Sequence, residues 1–173
     1  MTWAPVPLFE SEHASNAVLS PDKQYRYMLS RRWATGSPAI FVMLNPSTAD
    51  AEADDPTVRR CMGFAMTWGL AALVVINLYA YRATDPHDLW KARDPVGPDN
   101  DKWLRREFLI ADSIGAPVVA AWGVNAHEDR VRAVTALPGA HRMVCLGRAK
   151  DGAPRHPLYM PADSPLTPWI PKR

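Results

Sequence analysis

Three side chains combine a useful chemical type with a constrained setting: Asn45, Asn77 and His156. Asn45 closes the apolar run AIFVML, 39–44, and precedes Pro46, so its amide stands at a strand exit of restricted geometry. An amide donates and accepts hydrogen bonds but is no base at neutral pH, so it can orient a water for a reaction needing little deprotonation. Asn77 closes ALVVIN, 72–77, and an amide there can pair with the donor and acceptor on the edge of a nucleobase. His156, between Arg155 and Pro157 in an expected loop, can stabilise negative charge on a leaving group, as neutral donor or as imidazolium. Each also has a bland explanation: an Asn-Pro turn, a strand-ending asparagine, a surface histidine. Two asparagines after consecutive strands of one sheet favour function modestly.

Other chemistries find little support. Cys61 and Cys145 are too few for a disulfide framework or a cysteine-rich metal site and read as reduced core residues. The acidic stretch ADAEADD carries Asp50, Glu52, Asp54 and Asp55, which could hold a hard cation. It lacks the glycine and distal glutamate of an EF-hand loop, so a solvated or helix-capping segment is the expectation and no metal is assigned. Phosphate loops, dinucleotide glycine motifs and GxSxG are absent from the sequence, and no organic cofactor is expected.

The elements that must position these residues follow from apolar patterning. The chain has 173 residues, 47% hydrophobic and 22% charged, with net charge +2, which suits one globular domain over 1–173. The longest apolar run, Leu70 to Ile76, is too short to span a bilayer, and the N-terminus has no targeting pattern, so a cytoplasmic protein without membrane contact is expected. Asn16 to Trp33, turning at Pro21-Asp22-Lys23, reads as an antiparallel hairpin. Strands are predicted at 39–44, 72–77, 117–122 and 143–147. Helices are predicted between them, through Val58 to Met66, Asp99 to Asp112 and Val124 to Leu137. This alternation predicts an α/β three-layer sandwich: a central, mainly parallel four-stranded sheet flanked by helices, plus the N-terminal hairpin. The prolines crowding 151–173 predict an irregular C-terminal strap with few hydrogen bonds. Parallel sheets bind ligands beyond the carboxyl ends of their strands, where Asn45, Asn77, Gly123 and the His156 segment are expected to meet.

The blocks LNPSTADAEADDPTVRR, FAMTWG, NLYAYRATDP, DPVGPDNDKWL, VVAAWG and GAPRHPLY, in that order, resemble the bacterial and phage family of unknown function 1643. More distantly, their order is similar to the uracil-DNA glycosylase superfamily, an α/β fold with a central parallel sheet. In that resemblance Asn45-Pro46-Ser47 stands for the exit that positions water, and Asn77, with Arg82 in corresponding order, for the segment that reads the flipped base. His156-Pro157 stands for the late segment whose histidine contacts the base. Leu158 or Tyr159 would fill the gap in the stack, and Tyr79 would replace a stacking aromatic that is missing where DDPT stands.

The resemblance implies a monomeric nucleobase N-glycosylase acting on a damaged or modified base in DNA, with Arg82, Arg148, Lys150 and Arg155 as candidates for phosphate contacts. The alternatives are a noncatalytic nucleic-acid-binding module and a hydrolase of free nucleosides or nucleotides.

Overall fold

A computed structural model of the protein describes residues 14–47, 49 and 52–171. The N-terminal stretch expected to lack a targeting pattern and Asp50 of the acidic stretch fall outside those residues. No helix among the described residues is long and apolar enough to cross a membrane.

The chain order is β1 (Ala14–Leu19), β2 (Arg26–Arg32), β3 (Pro38–Met43), α1 (Pro56–Thr67), β4 (Ala72–Asn77), α2 (Pro86–Leu89), α3 (Asn100–Ile114), β5 (Val118–Ala120), α4 (Glu128–Thr135), β6 (Met143–Cys145) and β7 (Thr167–Pro168). Four strands are parallel neighbours in the order β4-β3-β5-β6. Because period-two side chains alternate between faces, Ile40 and Val42 pack with Leu104 and Phe108 of α3, while Phe41 and Met43 pack with Val58 and Phe64 of α1. Strands buried on both faces require this uniformly apolar composition, which is why the runs are legible in the sequence.

The expectation of a separate hairpin and a four-stranded sheet needs correction. Seven strands form one mixed sheet, ordered β1-β2-β4-β3-β5-β6-β7. The hairpin joins its edge because β2 pairs antiparallel with β4, from Leu29 opposite Val75 to Arg32 opposite Ala72. An unpaired edge of β4 would leave buried backbone groups unsatisfied, and β2 satisfies them. The C-terminal strap is likewise more structured than its prolines suggest. Val144 and Cys145 of β6 pair antiparallel with Pro168 and Thr167 of β7, and Trp169 packs edge-on against Trp122 with ring centroids 4.8 Å apart. Proline is tolerated there because β7 is an edge strand.

Helix α1 starts at Pro56, whose missing N–H costs nothing in a first turn, with Asp55 as its N-cap. The end of β4 is pinned differently. Buried Asn100, at the start of α3, donates through Nδ2 to the carbonyls of Asn77 at 3.0 Å and Leu78 at 3.1 Å. Asn100→Ala removes both bonds from the exit of β4. We expect a loss of about 2 kcal/mol in denaturant unfolding, whereas an unchanged midpoint would show that the β4 exit is held otherwise.

Candidate functional site

The loops after β3 and β5 leave toward opposite faces of the sheet, through α1 and α4, and this divergence opens a crevice at the carboxyl ends of the strands. A cavity of about 700 Å³ occupies it, lined by residues from Leu44 and Asn45 after β3, Asn77 at the end of β4, Trp122 to Asn125 after β5, and the 149–159 segment. Gly123 takes the left-handed φ of 75°, turning the chain away from β5 so that its N–H meets the Pro154 carbonyl at 3.0 Å and ties the late segment to the rim.

Asn45, Asn77 and His156 all line this cavity, although 111 residues separate the first from the last. The Asn45 amide is oriented by its nitrogen: Nδ2 donates to the carbonyls of Ala83 at 2.8 Å and Pro46 at 3.1 Å. Oδ1 is left as the atom able to accept from a molecule in the cavity. Asn77 is 1% exposed, and neither its Nδ2 nor its Oδ1 has a hydrogen-bond partner. A buried amide normally finds partners, so this one has both a donor and an acceptor free for a molecule that enters the cavity.

The half-buried His156 caps a 3₁₀ turn, Pro157–Tyr159, with Nδ1 accepting from the Leu158 N–H at 3.3 Å. That bond places the neutral ring's proton on Nε2. Burial pushes its pKa below the ordinary imidazole value, and the charge of Asp55 opposes the shift.

The unfolded ring titrates near about 6.5, and between that value and the lower folded one the unfolded chain binds more protons. The His156 contribution to stability is therefore present above about pH 6.5 and is lost as the pH falls through the folded pKa. We expect the NMR titration midpoint of His156 below about 6.5 and a shallower acid loss of stability in His156→Gln. A midpoint above that value would contradict this burial.

The other expected residues divide. Ser47, Leu158, Tyr159, Lys150 and Arg155 line the cavity, with Tyr159 76% exposed and Lys150 and Arg155 exposed on the rim. Pro46 is buried behind the wall, where its carbonyl accepts from both Asn45 Nδ2 and the Ala83 N–H, so it positions Asn45.

Three expectations do not fit the geometry. Tyr79 packs edge-on against Trp90 with ring centroids 5.1 Å apart, and its hydroxyl accepts from the His127 N–H; it lies in the core and presents no stacking face to the cavity. Arg82 turns to the hairpin, where its backbone N–H donates to the Gln24 carbonyl and Nη1 to the Lys23 carbonyl. Arg148 reaches the strap at the Pro168 carbonyl, 2.7 Å away, because β7 lies beside β6. None of the three is among the lining residues.

Two charged lining residues were not expected at the cavity: Arg26, which the sequence did not single out, and Asp55, expected only in a solvated or helix-capping segment. Arg26, 2% exposed at the start of β2, donates to the Ala49 carbonyl, and only the hairpin's place in the sheet brings it to the cavity. Asp55 accepts from the Val58 N–H at 2.8 Å through Oδ1 and from the Ser47 hydroxyl at 3.0 Å through Oδ2. Asp54 is instead engaged by Arg31 at 2.8 Å, which anchors the acidic stretch to β2. No group of three or more potential metal-ligating side chains occurs among the described residues.

The sequence profile of the family described as Protein of unknown function (DUF1643) matches residues 26–158. The chain belongs to this family. Its matched span begins at the cavity-lining Arg26 and ends at Leu158, so the DUF1643 region includes every lining residue named above except Tyr159. No curated protein matches. Among solved structures, the chain is similar to hetero-hexameric glutamate dehydrogenase from Thermus thermophilus in its Leu-bound form, at 14% identity and a TM-score of 0.31, over 74% of this chain. The chain spans 32% of that protein's length.

Proposed function

We propose that this DUF1643 protein is a nucleobase N-glycosylase acting on a damaged or modified base in DNA. The observation that carries the reading is the unpaired amide of Asn77, facing the same cavity as the Asn45 amide and the His156 ring. Cleaving an N-glycosidic bond puts positive charge on the sugar and negative charge on the departing base. Donors fixed beside the base stabilise that negative charge at little reorganisation cost.

Asn77 pairs with the edge of the extruded base, His156 Nε2–H meets the charge developing on it, and Asn45 Oδ1 accepts from the attacking water. Lys150 and Arg155 on the rim take neighbouring phosphates, while exposed Leu158 and Tyr159 fill the space left in the stack. A uracil-DNA glycosylase-like fold is supported by the parallel block β4-β3-β5-β6, with the Asn-Pro, Asn-Leu-Tyr and His-Pro segments at one end.

A base-release assay over modified duplex and single-stranded DNA tests the proposal; release of at least one base, abolished in the Asn45→Ala variant, is the expected result. One observation favours a second reading, hydrolysis of free nucleosides or nucleotides: about 700 Å³ exceeds what a base alone needs and falls within the range of small-molecule pockets. Turnover of monomers with weak DNA affinity would select it. Salt-dependent DNA binding with no release from any substrate would instead mark a noncatalytic module.

A further inference from the structure

A second cavity, of about 270 Å³, lies at the other end of the sheet from Asn77, between α3 and the amino ends of β3 and β4. Glu107, Ile110 and Ile114 reach it from α3, three and four residues apart on one helix face, and Ile40 and Val74 form the sheet side. The walls are aliphatic, yet Glu107, 1% exposed, sets a carboxylate among them. A buried carboxylate is stable only where partners satisfy its oxygens. Arg106 supplies one, Nη1 donating to Oε1 at 2.5 Å. It reaches no further, because neighbouring residues on a helix diverge by about 100° and its guanidinium also lies over the Trp103 ring, 5.0 Å from the centroid. Oε2 has no hydrogen-bond partner among the described residues. Burial pushes this carboxyl above the ordinary carboxylate pKa, and Arg106 opposes the shift.

We propose that this cavity is a second binding site, for a small aliphatic molecule bearing a protonated amine. The ammonium donates to Glu107 Oε2, and the hydrocarbon body rests on Ile110, Ile114 and Val74. Charge selects the amine: an anionic group would be repelled by the carboxylate, and a plain hydrocarbon would leave Oε2 unsatisfied. The volume lies just under the range usual for drug-sized ligands, so the occupant is small. Arg32 also lines the cavity, but the ion pair of Glu107 is with Arg106, and Arg32 Nη1 donates to the carbonyls of Ala34 at 2.7 Å and Gly36 at 3.2 Å. Its charge opposes a second cationic group on the ligand, whose far end is therefore neutral or anionic. The site does not depend on what the large cavity binds.

Isobutylamine, protonated at neutral pH like a lysine side chain, is the first probe, and isobutanol is its neutral counterpart. Titrated into the full chain, isobutylamine should shift the Ile110 and Ile114 methyl NMR signals saturably, with a Kd of about 1 mM. Isobutanol should bind about tenfold more weakly or worse, because it brings no charge to Oε2. Glu107→Gln keeps the shape and an acceptor for Arg106 while removing the charge, and it should weaken isobutylamine by a similar factor. Valine adds a carboxylate to the same hydrocarbon body. Tighter binding of valine than of isobutylamine would support the site with an amino acid as its ligand, the carboxylate turned to Arg32; weaker binding would support it with a simple amine.

Absence of saturable shifts with both amines, equal binding of isobutylamine and isobutanol, or unchanged isobutylamine affinity in Glu107→Gln would each overturn the proposal. Should Glu107→Gln fail to fold, the wild type decides. A cation on Oε2 favours the ionised carboxyl, so saturating isobutylamine should move the Glu107 titration midpoint, followed by carboxyl ¹³C NMR, downward. A midpoint that stays in place would overturn the site.

Discussion

His156→Ala should slow base release by about 10²–10³-fold, the usual consequence of removing one preorganised donor from a developing anion. The ring's Nδ1 already accepts from the Leu158 N–H, so the neutral ring presents Nε2–H to the cavity, and alanine leaves no donor in its place. The accompanying loss of the Leu158 bond is worth about 0.5–1.5 kcal/mol, small enough for the variant to stay folded. DNA affinity, set chiefly by phosphate contacts, should change little. Single-turnover release and equilibrium binding on the same substrate separate these effects. Release within threefold of wild type would remove His156 from the mechanism.

Asn77→Ala should move stability and function in opposite directions. Both polar atoms of this side chain are buried without partners, and each such group costs about 1–3 kcal/mol. Trimming to alanine relieves that cost at the expense of some lost packing, so the ligand-free variant should gain about 1 kcal/mol, or roughly 2–4 °C in melting temperature for a chain of this size. Base discrimination should collapse, because the variant no longer penalises a ligand whose edge fails to match the amide. A ranking of released bases identical to that of wild type would show that the amide reads nothing. Lower stability would show that the amide has partners in solution that hold the β4 exit together.

Opposite signs of this kind are expected where a fold carries a group that only its ligand can satisfy. The same logic separates Asn77 from Asn100, which is equally buried and also has an unpartnered Oδ1, but whose Nδ2 donates to two carbonyls and so stabilises the exit of β4. Sequence position does not distinguish these two asparagines; their hydrogen-bond partners do.

Much of the scaffold is legible because doubly buried strands must be apolar throughout. The runs at 39–44 and 72–77 match β3 and β4 within a residue. Strand exits are also legible, since Asn45-Pro46 and Asn77 end those runs abruptly, and a parallel sheet places such exits on one rim. Tyr79 shows where this kind of reasoning stops. Two residues beyond Asn77, it is expected at the cavity from its place in the chain, yet its ring packs against Trp90 because the chain beyond β4 swings across the α3 side of the core.

By itself the sequence determined the α/β class, the parallel strands and the three polar residues at their carboxyl ends, because these depend on local pattern and on one rule of sheet geometry. Tertiary structure alone decided that the hairpin extends the sheet and delivers Arg26, that Arg148 serves the C-terminal strap, and that a helix-capping Asp55 faces the cavity. These are outcomes of edge pairing and of which way a loop leaves its strand. Both are set by contacts between residues far apart in the chain, and no local periodicity records them.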